Sequence, residues 1–264
     1  MNELARKAVI LARGLGNRMR SASRSVVLTT EQNHFAANGI KALIPVSGGK
    51  TLLELILADL SAAGFCEFYL VIGPEHFAVR DFCLAKNLNV SFAIQRDPLG
   101  TADAVLAMES FISKGELFAV VNSDNVYPVK SLRILHETDR PAMLAFERDG
   151  LIKNSNIPAE RIAKFATVEI EPDGRLRQIV EKPDRISSDS LVSMNAWLFS
   201  PAIFAACSAI EMSERGEYEI AAAVQYAIDV LGEEFIAIRT AERVLDLSSR
   251  ADIDNVGRFL ASEN

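Results

Sequence analysis

A glycine loop that carries two arginines follows a short, mostly apolar run near the start of the chain. The loop reads LARGLGNRMR over residues 11–20, directly after the run KAVI at residues 7–10. Backbone N–H groups in such a turn can approach a phosphate closely, and Arg18 and Arg20 add positive charge. The loop therefore predicts an anion-binding site. A dinucleotide-binding loop of the G-x-G-x-x-G type is the alternative, but Met19 stands where that motif needs its third glycine.

Further polar residues follow other short apolar runs of the first half. Because ligands of parallel sheets bind outside the carboxyl ends of the strands, residues at these ends are the candidates for one common site. The candidates are Leu11, Ala12, Arg13, Gly14, Gln95, Asn122, Ser123, Asp124 and Asn125.

Short apolar runs alternate with longer amphipathic segments through the first half of the chain, as in KAVILA, TLLELILADLSAAGF, CEFYLVIG, PEHFAVRDFCLAKN, VSFAIQ, TADAVLAMESFI and LFAVVNSDN. Strand followed by helix is the pattern of βαβ units with right-handed crossovers. We therefore predict an α/β fold, with a Rossmann-like, mostly parallel sheet flanked by helices.

The second half has a different pattern, which predicts a smaller β-rich lobe at one end of the sheet. Period-two alternation around Asp173-Gly174 indicates a hairpin, and SMNAWLFS is a further strand, in which Trp197 is expected to belong to the core. GEYEIAAAVQYAIDVLG has helical spacing, and EFIAIR is a strand. The last helix is expected to be capped by Ser248 or Ser249.

The composition of the chain limits the classes of protein to which it can belong. The chain has 264 residues, of which 49% are hydrophobic, so it can bury a large core, and we favour a single domain. A net charge of −7 without a basic run argues against a nucleic-acid partner. The three cysteines lie among apolar residues, which predicts buried thiols in a reducing compartment. No signal peptide or apolar stretch of membrane-spanning length is present in the sequence, which predicts a cytoplasmic protein without a membrane partner.

Several motifs, in order along nearly the whole chain, resemble the family of nucleotidyltransferases that join a sugar 1-phosphate to a nucleoside triphosphate. GLGNRMR resembles the G-x-G-T-R loop of that family, and KALIPV, from Lys41, resembles K-x-L-x-P-V. Gln95 with LGTA resembles Q-x-x-x-x-G-T-A, SDN around Asp124 resembles G-D-N, and VEKP matches V-E-K-P. VLDLS, with Asp246, stands where the family has W-x-D-T-G.

The resemblance implies a nucleotide-binding half at about residues 1–140 and a sugar-phosphate-binding half at about residues 141–264 of a single nucleotidyltransferase domain. It implies a nucleoside triphosphate and a sugar 1-phosphate as substrates and Mg²⁺ as cofactor, and it leaves a homo-oligomeric state open. Asp124 and Asp246 are then the metal ligands, because Mg²⁺ favours oxygen ligands and needs one or two carboxylates.

The resemblance also assigns catalytic and binding roles to single residues. Arg18 and Lys41 are expected to bind the β- and γ-phosphates, and Lys182 is expected to bind the sugar phosphate, so that Arg18, Lys41, Asp124 and Lys182 form the catalytic set. Gln95 is expected to read a pyrimidine, since a glutamine amide offers a donor and an acceptor side by side. The same amide, turned over, fits cytosine, so that UTP, dTTP and CTP stay open.

The remaining expected contacts lie beside the base and the hexose. Gly100 lets the chain pass close to the base, and Thr101 is expected to cap the following helix. The hexose hydroxyls are expected to face Glu181, Asn195 and Glu217.

Three features depart from the pattern of the family. Arg13 and Asn17 replace its usual glycine and threonine, and Leu247-Ser248-Ser249 replaces the residues that follow its second aspartate. The segment at about residues 20–40 is longer than usual, which indicates either a helical flap over the triphosphate or a surface insertion without a catalytic role. A regulatory binding protein that kept the pocket without turnover is a second hypothesis, and an NAD-dependent dehydrogenase is a third.

Overall fold

The computed structural model describes residues 4–21, 26–181 and 190–262, and its central feature is a mixed, mostly parallel sheet that has nine strands within these ranges. Lys182 lies outside the described residues. The strands inside and outside this sheet are β1 (Lys7–Leu11), β2 (Pro45–Ser47), β3 (Lys50–Thr51), β4 (Glu67–Ile72), β5 (Val90–Ile94), β6 (Phe118–Asn122), β7 (Asn125–Val126), β8 (Ala142–Glu147), β9 (Thr167–Ile170), β10 (Leu176–Val180), β11 (Leu191–Phe199), β12 (Ile236–Thr240) and β13 (Leu245–Asp246). Strands β2 and β3, and strands β7 and β13, form two separate two-stranded sheets.

Helices cover both faces of this sheet. They are α1 (Asn17–Arg20), α2 (Thr30–Ala37), α3 (Leu52–Ala63), α4 (Phe77–Ala85), α5 (Thr101–Leu106), α6 (Val129–His136), α7 (Arg148–Asn154), α8 (Ala159–Ile162), α9 (Ala202–Ala209), α10 (Ile220–Asp229) and α11 (Arg250–Ala261), with short 3-10 turns at Lys41–Leu43 and Glu109–Phe111. Helix α3 shows why these segments fold as they do: Thr51 and Glu54 form a capping box at its start. One face of α3 is buried in the core.

Strands β6, β1, β4 and β5 are mutually parallel, as the βαβ pattern predicts. Leu11 lies beside Val71 of β4 on one side and beside Asn122 of β6 on the other. Ile72 of β4 lies beside Ile94 of β5. The residues that follow these four strands therefore emerge at one edge of the sheet.

The strands of the second half extend the same sheet. Strand β11 is antiparallel to β6, β8 and β9, and β12 pairs in parallel with β8. The predicted hairpin is present as β9 and β10, with Gly174 at a φ of 88° in the turn. The β-rich half and the parallel half are thus joined through the pairing of β11 with β6.

Two hydrophobic clusters fill the space between the sheet and its helices, one on each face. Ile10 belongs to one cluster, and its neighbour Val9 belongs to the other, because successive residues of a strand point to opposite faces. Trp197 is fully buried and stacks on Phe199, with ring centroids 5.4 Å apart, so it is a core residue as expected.

Two of the three cysteines are buried as predicted, and one is not. Burial raises the pKa of Cys83 to about 11 and that of Cys207 to about 12, so both thiols stay protonated at neutral pH. Cys66 is exposed, and the prediction for this residue was wrong, because it lies in the turn between α3 and β4. Among the described residues, no helix is both long enough and apolar enough to cross a membrane.

The long segment after the glycine loop contains helix α2, which begins with a capping box between Thr29 and Gln32. The Gln32 side chain donates to the backbone oxygen of Pro45 at 2.8 Å, and the Arg250 guanidinium donates to the Asn33 side chain at 2.6 Å. These contacts hold α2 against the first hairpin and the last helix. Its own residues do not line the cleft described below, although the following Gly39 does.

Candidate active site

A cleft of about 450 Å³ opens at the edge of the sheet where the parallel strands end. It brings together most of the residues that the sequence predicts for the site, although they are spread over more than 200 positions of the chain. The predicted residues that line it are Leu11, Ala12, Arg13, Gly14, Arg18, Lys41, Gln95, Gly100, Thr101, Asn122, Ser123, Asp124 and Glu217.

The glycine loop forms one wall of the cleft. Gly16 has a φ of 61°, and a Cβ at this position would lie 2.6 Å from the backbone oxygen of Gly39, so this position needs glycine. Arg18 follows it in α1 and is exposed. Arg18 makes no hydrogen bond or ion pair with any described residue, which leaves its guanidinium available to an anion.

Arg13 differs from the other basic residues of this wall because its side chain is turned into the protein. Its Nη1 lies 3.2 Å from Glu75 Oε1, and its Nη2 donates to the backbone oxygen of Arg96 at 2.8 Å. The Arg13 side chain is only 7% exposed. The guanidinium thus ties together the loops that follow β1, β4 and β5.

We therefore expect Arg13→Ala to act on stability more than on nucleotide binding. Loss of the two hydrogen bonds should lower the free energy of unfolding by about 1 to 3 kcal/mol, measured by urea denaturation. Arg140→Ala, which removes an exposed pair with Asp139, is the control and should change stability by less than about 1 kcal/mol. Unchanged stability with weakened nucleotide binding would instead indicate that the Arg13 side chain contacts the nucleotide.

Lys41 and Asp124 form an ion pair in the cleft. The Lys41 Nζ lies 2.7 Å from Asp124 Oδ2, and their side chains are 16% and 25% exposed. Lys41 begins a 3-10 turn, and Asp124 follows β6 directly. A lysine cation and a carboxylate therefore occupy the place where the sequence predicts contacts to phosphates and to a metal ion.

Asp246 lies next to this pair, on the two-stranded ribbon of β7 and β13. Asp246 is opposite Asn125, and the Leu247 N–H donates to the backbone oxygen of Asp124 at 2.8 Å. Asp246 itself is only 5% exposed. It does not line the cleft, whereas Ser248 does.

Both carboxylate oxygens of Asp246 have protein partners. Asn125 donates to Oδ1 at 3.2 Å, and Arg161 donates to Oδ2 at 2.5 Å. Burial, as the largest cause, and the nearby charge of Asp124 raise the pKa of Asp246 above its usual value, while Ser248 and Arg161 act in the opposite direction. Asp124 is thus close enough for its charge to act on Asp246.

Gln95 is buried at the end of β5, and both hydrogen-bond partners of its amide nitrogen are acceptors. The Nε2 group donates to the backbone oxygen of Gly100 at 3.0 Å and to Asp103 Oδ2 at 2.8 Å. A carbonyl and a carboxylate can only accept, so the NH₂ group must face them. The amide oxygen of Gln95 is left as the group that a ligand can reach.

The loop at Gly100 and Thr101 is joined to the start of α10. A Cβ on Gly100 would lie 2.6 Å from the backbone oxygen of Tyr218, so the close approach that requires glycine here is to the protein's own chain. The Thr101 hydroxyl accepts from the N–H of Ile220 at 2.9 Å. Gly100, and not Thr101, is the N-cap of α5, so the predicted capping role of Thr101 was wrong.

Arg215 lines the cleft and forms ion pairs with three glutamates. Its guanidinium lies 2.9 Å from Glu219 Oε1, 3.3 Å from Glu217 Oε2 and 3.8 Å from Glu181 Oε1. Arg215 and Glu217 line the cleft, whereas Glu181 does not. Two of the three residues predicted to face a hexose are therefore neighbours around one arginine.

Asn195, the third of these residues, lies in an irregular part of β11. It has a φ of 56°, which is a strained value for a residue with a side chain. Its side-chain oxygen accepts from the Trp197 indole at 3.3 Å, and it does not line the cleft. Since Trp197 pairs with Val120 in the antiparallel register, Asn195 lies near the end of β6 and so near Asp124.

Sequence reasoning missed several residues that line the cleft, above all His76 and Arg215. The His76 Nδ1 accepts from the N–H of Gly73 at 3.3 Å. Burial is the largest cause and lowers the pKa of His76; the charge of Glu75 opposes it, and the charges of Arg13 and Arg20 reinforce it, so the neutral imidazole is favoured at pH 7. Arg215 could have been suspected from the sequence, because it is two residues before Glu217. No motif marked His76, which follows β4 after the turn residues Gly-Pro.

Comparisons with known proteins agree with this geometry. Residues 7–241 match the family model described as nucleotidyl transferase. A glucose-1-phosphate thymidylyltransferase of Streptomyces griseus is 31% identical over 226 residues, which are 84% of this chain and 57% of that protein. The chain thus spans a little over half the length of that relative.

Two further relatives are matched along nearly their whole length. The UTP–glucose-1-phosphate uridylyltransferase AglF of Haloferax volcanii is 26% identical over 261 residues, with 97% of each chain covered. A crystal structure of UDP-glucose pyrophosphorylase complexed with UDP-glucose superposes with a TM-score of 0.76 at 17% identity, covering 99% of this chain and 100% of the other. Together with the family match over most of the chain, these results show that the protein belongs to the nucleotidyl transferase family.

Proposed function

We propose that the protein transfers the nucleotidyl group of UTP or dTTP to a sugar 1-phosphate, which gives a nucleoside-diphosphate sugar and pyrophosphate. The observation that carries the proposal is the cleft itself. It combines two basic residues, Arg18 and Lys41, with Asp124, Gln95 and Glu217. The names of the relatives, which refer to glucose 1-phosphate with UTP or dTTP, support the same reaction.

In this reaction a phosphate oxygen of the sugar 1-phosphate attacks the α-phosphorus in line. The new P–O bond forms as the bond between the α-phosphorus and the bridging oxygen breaks, and that oxygen leaves with the pyrophosphate. A phosphate monoester has a second pKa near 6, so the nucleophile is already ionised at neutral pH and needs no general base. A neutral His76 is compatible with this chemistry.

Catalysis then depends on bringing two polyanions together and on neutralising the charge of the leaving group. We assign Arg18 and Lys41 to the β- and γ-phosphates, because both are cations that line the cleft. Lys182 is assigned to the sugar phosphate from the V-E-K-P match alone. Glu181, Asn195 and Glu217 are assigned to the sugar hydroxyls.

We also propose that turnover requires Mg²⁺, held by Asp124 and Asp246. The fit rests on two carboxylates that the pairing of β7 with β13 brings close together, since Asp246 lies opposite Asn125 and the Leu247 N–H donates to the backbone oxygen of Asp124. Among the described residues, no group of three or more His, Cys, Asp or Glu side chains could hold an ion alone, so water and phosphate must supply the other ligands, as Mg²⁺ commonly requires. Bound there, Mg²⁺ would offset the charge of the triphosphate.

The orientation of Gln95 supports UTP or dTTP over CTP. Uracil and thymine present an N–H donor at N3, which matches the free amide oxygen, whereas cytosine presents an acceptor at N3. Turning the amide over would place its oxygen against the oxygens of Gly100 and Asp103. The protein thus opposes the orientation that cytosine needs.

We expect wild-type protein to prefer UTP or dTTP to CTP and to purine triphosphates, and Gln95→Ala to weaken this preference. One lost hydrogen bond corresponds to about 0.5 to 1.5 kcal/mol, or roughly 2- to 10-fold in kcat/KM. Asp103→Ala should reduce discrimination against CTP specifically, since it frees the amide to turn over. Asp97→Ala, at an exposed residue of the loop between β5 and α5, is the control. Efficient use of purine triphosphates by the wild type would show that this role of Gln95 is wrong.

The proposal is tested by pyrophosphate release with UTP, dTTP, CTP, ATP and GTP against a panel of sugar 1-phosphates, with and without EDTA. We expect release with UTP or dTTP that EDTA abolishes and added Mg²⁺ restores. Tight nucleotide binding without release for any sugar 1-phosphate would support the regulatory binding protein instead.

A further inference from the structure

Arg161 lies in the short helix α8, outside the motifs of the family, and reaches two buried carboxylates. Its Nη1 donates to Asp246 Oδ2 at 2.5 Å and to Asp252 Oδ2 at 3.2 Å, while its Nη2 donates to Asp252 Oδ1 at 3.1 Å. The Arg161 side chain is 18% exposed. A planar guanidinium held in this way restricts the orientation of the carboxylates it contacts.

The two carboxylates have different partners besides Arg161. Asp252 also accepts from the N–H of Ser248 at 3.2 Å and from the N–H of Ser249 at 2.7 Å, as part of the capping box of α11. Within the described residues, Arg161 is the one cation at ion-pair distance from Asp246. Without Arg161, Asp252 keeps these two backbone N–H donors, whereas Asp246 keeps side-chain donors such as Asn125.

The same segment also holds the backbone of Asp246. The Asn156 Oδ1 accepts from the N–H of Asp246 at 2.8 Å, and its Nδ2 donates to the backbone oxygen of Asp246 at 2.8 Å. Ile157 and Ile162, which are both buried, anchor this segment in the core. Residues 156–161 thus form hydrogen bonds to both the backbone and the side chain of Asp246.

We infer that Arg161 is a positioning residue for Asp246, and that together with Asn156 it sets the place of this carboxylate beside Asp124. The inference rests on the proposed function, in which Asp246 is a metal ligand. Arg161 does not line the cleft, so its effect passes through Asp246. Positioning partners of metal ligands typically change metal affinity by about 10- to 100-fold.

The first test compares Arg161→Gln and Arg161→Lys with the wild type. We expect Arg161→Gln to raise the half-saturating Mg²⁺ concentration about 10-fold. Arg161→Lys should have a smaller effect, because lysine keeps the positive charge but lacks the planar guanidinium that bonds to both carboxylates. If Arg161 acted only as a positive charge near the metal, the opposite would be expected, because loss of a cation would lower the Mg²⁺ concentration that is required. An unchanged or lowered requirement would overturn the inference.

A double-mutant cycle and a direct binding measurement separate positioning from structure. In the Asp246→Asn background, Arg161→Gln should have no further effect on Mn²⁺ binding, followed by electron paramagnetic resonance with UTP and without sugar phosphate. Arg239→Gln, which removes the exposed pair with Glu147, is the control for loss of an ion pair. Equal, additive losses in both backgrounds would overturn the inference.

The measurements also distinguish failure of this inference from failure of the proposed function. A wild-type protein that releases no pyrophosphate with any sugar 1-phosphate contradicts the proposed function, while the Mn²⁺ titrations still decide the role of Arg161. Should Arg161→Gln melt below the assay temperature, Arg161→Lys carries both tests. Wild-type Mn²⁺ affinity in Arg161→Lys, together with a lowered melting temperature, would then assign Arg161 to stability alone.

Discussion

Asp124→Asn is expected to lower turnover on the order of 100- to 1000-fold or more, which corresponds to about 3 to 4 kcal/mol or more of transition-state stabilisation. The substitution keeps the volume of the side chain and removes its charge. Of the two proposed metal ligands, Asp124 is the one that lines the cleft, and it also lies 2.7 Å from the Lys41 ammonium. The proposed metal ligand and the partner of Lys41 are therefore lost together.

The fold should hardly change in this variant. The backbone of Asp124, and not its side chain, accepts from Leu247 and so holds the ribbon of β7 and β13. The check is pyrophosphate release across a Mg²⁺ titration, together with a thermal melt. Asp149→Asn, at a side chain that is 75% exposed, is the matched control. Full activity of Asp124→Asn at any Mg²⁺ concentration would refute the assignment of the metal site.

Lys41→Ala is expected to lower kcat on the order of 100- to 1000-fold, about 3 to 4 kcal/mol, with a smaller effect on the KM of either substrate. In the proposed reaction the Lys41 charge matters most as pyrophosphate departs. The structure supports this role, because the ammonium lies in the cleft beside Asp124. The backbone of the 3-10 turn should be kept, since Ala42 and Leu43 anchor it in the core.

The contrast with Lys182 makes this prediction specific. Lys182→Ala should weaken saturation by sugar 1-phosphate more than saturation by nucleotide, because the two lysines are assigned to different substrates. The measurement is steady-state kinetics with each substrate varied in turn, with the exposed Lys50→Ala as control. Identical kinetic changes in both variants would reduce the site to an undifferentiated basic cleft. Kinetics close to wild type in both would favour the regulatory binding protein.

The local elements of the fold could be predicted from the sequence, because their signals come from neighbouring residues. Period-two alternation around a turn residue is enough to predict the hairpin at Gly174, and Ser249 caps α11 as one of the two predicted serines. The parallel strands could be predicted from their spacing between amphipathic segments. Since parallel strands place their carboxyl ends at one edge, the meeting of Gln95 and Asp124 in one cleft also followed.

The partners of the polar side chains were decided only by the tertiary structure. Lys41 pairs with Asp124 and Arg161 pairs with Asp246 across more than 80 residues each, and no local pattern encodes these contacts. Arg13 stands in the glycine loop but turns inward, because Glu75 and the loop after β5 offer it acceptors.

In Gln95, one feature could be predicted from the sequence and another was decided only by the tertiary structure. Its position at a strand end could be read from the sequence, but the direction of its amide depends on Asp103 and on the carbonyl of Gly100. The periodicity of the sequence predicts where strands and helices lie and which of their faces are apolar, because burial acts on every residue of an element in the same way. Hydrogen bonds and ion pairs need two specific groups within about 3 Å, and only the packed chain brings such groups together.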